Sequence, residues 1–105
     1  MSVLNINQKN FKEEVLESSV PVLLDFWAPW CGPCRMLSPV VDKISEDLNG
    51  KAKVGKINVD EEPALAAQFN VMSIPTLVVI KDGRIAHNSV GVISPVKILE
   101  MLEVS

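Results

Sequence analysis

The chain has 105 residues, enough for one domain whose folding removes roughly 60–70% of the unfolded chain's surface from water. Apolar residues make up 48% and charged residues 22%, which excludes a disordered chain, and a net charge of −3 with scattered Lys and Arg excludes nucleic acid as the expected partner. No apolar run reaches the ~20 residues that cross a bilayer, so no membrane partner is expected. Met1–Asn10 lacks the basic flank and apolar stretch of a signal peptide, so the expected location is cytoplasmic, or an organelle where a transit peptide was trimmed.

Short apolar runs alternate with helical patterns, the signature of an α/β domain. Val3–Ile6 reads as a strand, and Asn7 is expected to cap a helix with Phe11, Val15 and Leu16 on one face. Ser18 and Ser19 break it, and Pro21 forbids an immediate restart. Val22–Ala28 is apolar on both parities except at Asp25, as a strand covered on both faces should be. From Cys34 to Leu48 the residues Leu37, Val40, Val41, Ile44 and Leu48 keep helical spacing, Pro39 is expected to kink the helix, and Asn49-Gly50 ends it. Ala52–Val59 reads as a third strand, after which Asp60 is expected to cap a short helix through Leu65 and Phe69, with Pro63 in its first turn. Thr76–Ile80 and Arg84–Val90 flank Lys81-Asp82-Gly83 as a hairpin, and Ser94-Pro95 opens a last helix through Leu99 and Leu102. The order βαβαβαββα predicts a mixed sheet with helices on both faces.

Two cysteines are too few for a disulfide scaffold, so the close pair Cys31-Gly32-Pro33-Cys34 points to catalysis or metal. Tetrahedral zinc needs four ligands; the only other soft or imidazole ligand is His87, and a second C-x-x-C is missing, so no metal is expected. The motif follows a buried-type strand and opens a helix, which places Cys31 where unpaired amides and the macrodipole stabilise a thiolate. Cys34, one turn deeper, lies on the same side, so a ring can close. Acidity alone gives little speed: a tenfold gain in thiolate costs roughly threefold in nucleophilicity. Making the second step intramolecular must supply more.

The stretch Trp27-Ala28-Pro29-Trp30-Cys31-Gly32-Pro33-Cys34 closely resembles the active site of the thioredoxin family, and the likeness extends over essentially the whole chain: Asp25-Phe26 before the motif, Lys56 in the matching third strand, then Ile74-Pro75-Thr76 and Gly91. The resemblance implies one thioredoxin domain over residues 1–105, with a central mixed five-stranded sheet flanked by four helices. It implies a reversible Cys31–Cys34 disulfide, Cys31 attacking a target disulfide and Cys34 resolving the mixed disulfide. Asp25 would accept Cys34's proton, since desolvation of a carboxylate in an apolar strand raises its pKa. Lys56, by itself a solvated strand lysine, becomes through the resemblance a charge partner for that aspartate. Trp30, Gly32, Pro33, Ile74, Pro75 and Gly91 would line a shallow groove for an extended target segment. By itself Ile74-Pro75 predicts a trans bond, whereas the family implies cis. Gly91 is read as small because a side chain there would block backbone approach. Trp27 reads equally as core or site. Met36 and Leu37 are expected to pack, and Val92 stands where a smaller alanine is usual.

The leading function is therefore protein-disulfide reductase, because Gly-Pro between the cysteines resembles the reducing members, whereas oxidising and isomerising relatives carry His there. An oxidant or isomerase, or a binding module using the same groove, are the alternatives. Implied partners are disulfide-containing proteins and a reductase, either NADPH- and flavin-dependent or ferredoxin-linked. No bound cofactor and a monomeric chain are expected.

Overall fold

The computed structural model describes residues 3–103; positions 1–2 and 104–105, the ends of the expected 1–105 domain, lie outside the described residues. Five strands form one mixed sheet: β1 (Val3–Asn5), β2 (Val22–Trp27), β3 (Lys53–Asn58), β4 (Thr76–Lys81) and β5 (Arg84–Val90), in spatial order β1-β3-β2-β4-β5. β3 pairs in parallel with β1 and β2, and β4 runs antiparallel to β2 and β5. A π-helical segment (Lys12–Leu16) and the helices α1 (Gly32–Leu48), α2 (Pro63–Gln68) and α3 (Pro95–Leu102) cover the sheet. The expected architecture of five strands and four helices is therefore present.

Alternation along the strands divides the core. Leu23, Val54, Leu77 and Val79 pack with Leu37, Val41 and Ile44 of α1 and Ile98 and Leu102 of α3. Residues of the opposite parity, among them Val22, Leu24, Phe26, Ile57 and Val78, pack with Phe11, Val15 and Leu65. Side chains two apart on a strand share a face. Asp25 thus shares Leu23's face and Lys56 shares Val54's, and both point toward α1.

Several local readings change. Asn7 caps the turn that leads into the first helical segment, its Oδ1 accepting from the N–H of Lys9 at 2.9 Å and of Asn10 at 3.0 Å, but Lys12–Leu16 itself follows Phe11 with no side-chain cap. That segment is a wide single turn, closed by the Glu17 N–H on Lys12 O at 2.9 Å; Phe11 and Val15 are buried and Leu16 is exposed. So short a segment takes its shape from packing rather than from propagation. Asp60 caps nothing: α2 begins after Glu62, without a side-chain cap, and the Asp60 carboxylate is used elsewhere. α1 starts at Gly32 and stays helical through Pro39. The hairpin is a two-residue turn in which Asp82 (φ 52°) and Gly83 (φ 76°) both have positive φ, the twist that suits antiparallel strands. Ser94 caps α3 as expected, its Oγ accepting from Lys97 N–H at 3.2 Å, with Pro95 at the first helical position.

Candidate active site

β2 delivers the chain to the N-terminus of α1 through Ala28-Pro29-Trp30, and Cys31 becomes the N-cap with extended backbone (φ −91°, ψ 110°). Its Sγ accepts from the Cys34 N–H at 3.2 Å, so sulfur stands where an Asp or Ser oxygen normally caps a helix. The same amide would serve a thiolate, helped by the helix dipole. Cys31 and Cys34 are joined by a disulfide with their Cα atoms 5.3 Å apart, and both are buried with Ala28. The Ile74 carbonyl oxygen lies 3.8 Å from Cys31 Sγ, placed to accept from the thiol of the reduced form.

Beneath the disulfide a cavity of about 110 Å³ is walled by Asp25, Trp27, Cys34, Arg35, Ser38 and Lys56, large enough for ordered water. Asp25 is 1% exposed, and among the described residues its Oδ1 has no hydrogen-bond partner. Desolvation pushes its pKa up to about 6, against the pull of the Lys56 ammonium and with a smaller push from Asp42. Lys56 faces Asp25 across the β2–β3 register. Yet its ammonium donates to Ser38 Oγ at 2.6 Å and pairs with Asp42 Oδ1 at 3.1 Å, so it acts on Asp25 through its field. Trp27 resolves as both readings at once, half-buried against the cysteines and forming part of the cavity wall.

On the outer side, Trp30 is 67% exposed with its Nε1–H donating to Asp60 Oδ2 at 3.0 Å. Trp30 and Ile74 share an apolar hollow of about 370 Å³ with Val59, Ala66, Val71, Met72 and Ser73. The Ile74–Pro75 bond is cis, as the resemblance implied and the dipeptide did not. Pro75 O accepts from the Gly91 N–H at 2.8 Å, tying these two residues together beside the cysteines. Gly91 has open space where a Cβ would stand; its φ of +95° is what selects glycine, not a steric block. A Cβ on Gly32 would also meet nothing. Gly32 and Pro33 occupy the first turn of α1 directly after Cys31. Met36 was expected to pack like Leu37 but is 68% exposed, because only Leu37 turns to the sheet.

Ser38 and Asp42 were missed. They follow Cys34 at positions i+4 and i+8, so one helical stripe carries Cys34, Ser38 and Asp42, and that spacing was the available signal. Asp60, misread as a cap, escaped because its partner Trp30 lies 30 residues away. Among the described residues, no cluster of three His, Cys, Asp or Glu could hold a metal, and no helix is long and apolar enough to cross a membrane.

A family model described as Thioredoxin matches residues 2–103. Thioredoxin 1 of Synechococcus elongatus is 49% identical over 98 residues, covering 93% of this chain and 92% of its own. The thioredoxin of Synechocystis is 50% identical over the same span and shares. That of Haemophilus influenzae is 52% identical over 89 residues, covering 85% of this chain and 83% of its own.

Proposed function

The chain belongs to the thioredoxin family and is a protein-disulfide reductase, and from that premise we propose that its side chains divide the reaction as follows. The Cys31 thiolate attacks one sulfur of a target disulfide; a Cys31–target disulfide forms, and the other target sulfur leaves as a thiolate that takes a proton from water. The Cys34 thiol then gives its proton to Asp25 and attacks Cys31 Sγ. The Cys31–Cys34 bond closes, the second target thiolate departs, and two electrons have passed from the cysteine pair to the target. Lys56 stabilises the charged form of Asp25 until the proton arrives. The observation that carries this reading is a helix N-cap sulfur bonded to a sulfur one turn deeper, with a buried carboxyl on the wall of the cavity below whose Oδ1 has no hydrogen-bond partner among the described residues.

Trp30, Gly32, Pro33, Ile74, Pro75 and Gly91 would receive an extended target segment, the hollow beside Trp30 taking an apolar side chain. Disulfide-containing targets and a recycling reductase belong to the family's reaction in general. For this chain we assign recycling to an NADPH- and flavin-dependent reductase or a ferredoxin-linked one, action in the cytoplasm, and a single domain working as a monomer.

The intact chain is expected to accelerate insulin reduction by dithiothreitol, and Cys34→Ser is expected to accumulate targets as mixed disulfides on Cys31. Full insulin reduction by Cys34→Ser, with no adduct on non-reducing gels, would reverse the assigned roles.

A further inference from the structure

Ser38 and Asp42 lie one and two turns beyond Cys34 on α1, above the pair formed by Asp25 and Lys56 in register on β2 and β3. A lysine ammonium on a flexible four-carbon stem, directly across from a buried carboxyl, would be expected to close on it. It does not. The Lys56 side chain is drawn onto α1 by the Ser38 hydroxyl at 2.6 Å and the Asp42 carboxylate at 3.1 Å, while Asp25 Oδ1 stays without a partner among the described residues.

We propose that Ser38 and Asp42 are positioning residues that hold the Lys56 ammonium away from Asp25, keeping that carboxyl unpaired and able to take Cys34's proton. This rests on Asp25 being Cys34's acceptor. A contact ion pair would fix Asp25 as a carboxylate bound to Lys56, basic enough to hold a proton only in acid. With the ammonium held back on α1, its field still steadies the carboxylate but does not consume it. The remaining charged groups facing Asp25 fit this arrangement: Arg35, the other cation of the cavity wall, donates from Nη1 to Pro29 O at 2.8 Å, and the Asp42 charge opposes ionisation of Asp25. β4 places only Leu77 opposite Asp25.

The test follows the Asp25 carboxyl by carbon-13 NMR across pH in the oxidised full chain. Ser38→Ala and Asp42→Asn are each expected to lower its midpoint by about half a pH unit or more, as the ammonium swings inward and, for Asp42→Asn, a repelling charge disappears. Ser38→Thr retains the hydroxyl and is expected to restore the original midpoint. In a Lys56→Met background, Ser38→Ala is expected to move nothing. An unmoved midpoint in Ser38→Ala, or an equal shift with Lys56 already replaced, overturns the proposal. The second readout is the pH profile of Cys34 attack on a Cys31 mixed disulfide with a small aromatic thiol, followed by stopped flow. It is expected to shift with the midpoint. A midpoint that moves while this profile stays still would leave Lys56 positioned as described but remove Asp25 as the acceptor, and with it the catalytic half of the proposal.

Discussion

Two carboxylates, Asp25 in β2 and Glu103 just past α3, depart from ordinary titration in opposite directions, for opposite reasons. Asp25 is buried, its Oδ1 without a hydrogen-bond partner among the described residues, and desolvation raises its pKa to about 6. Glu103 is exposed and doubly engaged: Lys81 Nζ lies 2.9 Å from Oε1 and His87 Nε2 lies 2.9 Å from Oε2, and these contacts, Lys81 first, lower its pKa to about 2. The first arrangement costs stability and leaves a group free to trade protons near neutrality. The second joins the end of α3 to β4 and β5 and leaves nothing over for chemistry. A perturbed carboxyl signals function where its partner is missing, and structure where its partners are all present.

Asp25→Asn sharpens this contrast with the largest effect. Loss of the acceptor is expected to slow Cys34's attack by roughly 10²-fold, the lower end for positioned acid–base groups. Stability should move the other way. The folded pKa of Asp25 lies above its unfolded value near 3.8, so its contribution is fully present below that pH and is lost as pH rises through about 6. A neutral amide escapes this penalty, so the variant is expected to be more stable than the parent by about 2–3 kcal/mol at pH 8 and equal to it near pH 3.5. Denaturant melts at both pH values check it; a gain independent of pH would mean that burial of the charge is not what separates Asp25 from Glu103.

The same contrast explains what was legible in the chain. Asp25 stood out because one carboxylate interrupts Val22-Leu23-Leu24 and Phe26, a violation visible within six residues of sequence. Cys31 and Cys34 were visible for the same reason: spacing, a preceding strand and a following helix are local. What decides how Asp25 behaves is not local. The β2–β3 register sets Lys56 opposite it, and α1 then competes for the ammonium through Ser38 and Asp42, a competition no single segment encodes. Likewise the Glu103 contacts join residues 16 and 22 positions apart, and the Trp30–Asp60 bond overrode a cap that local propensity favoured. The central strands β2 and β4 were read to within a residue at each end because burial on two faces writes itself into continuous apolar runs, whereas β5, exposed along most of its length, was legible through the hairpin turn that precedes it. The π-helical segment was not, because its geometry is set by docking rather than by its five residues.

Ser94→Ala probes the other anchor of α3. Its hydroxyl satisfies the Lys97 amide at the helix start, and its loss is expected to cost about 1 kcal/mol, with no change in the rate of disulfide exchange. Urea midpoints and the insulin assay test both halves. A fall in exchange rate beyond the fall in folded fraction would show that α3 and the cysteine end of the molecule are not separable, and would break the division between a reactive and a merely structural region.

Glu103→Gln carries the smallest expected effect and the finest discrimination. Its folded pKa lies below the unfolded one, so the stabilisation from Lys81 and His87 is present above about pH 4.5 and is lost as pH falls through about 2. Both Glu103 and His87 are open to solvent, so the loss on substitution should be slight at low ionic strength and absent in 1 M salt, where screening acts over about 3 Å. Glu103 also closes α3 in the left-handed conformation, φ 56°, a backbone role that Gln would keep. A salt-sensitive loss assigns the effect to the ion pairs. A loss that ignores both salt and pH assigns it instead to the way the side chain packs over the helix end, and Glu103 would then no longer be the charged counterpart against which Asp25 is read.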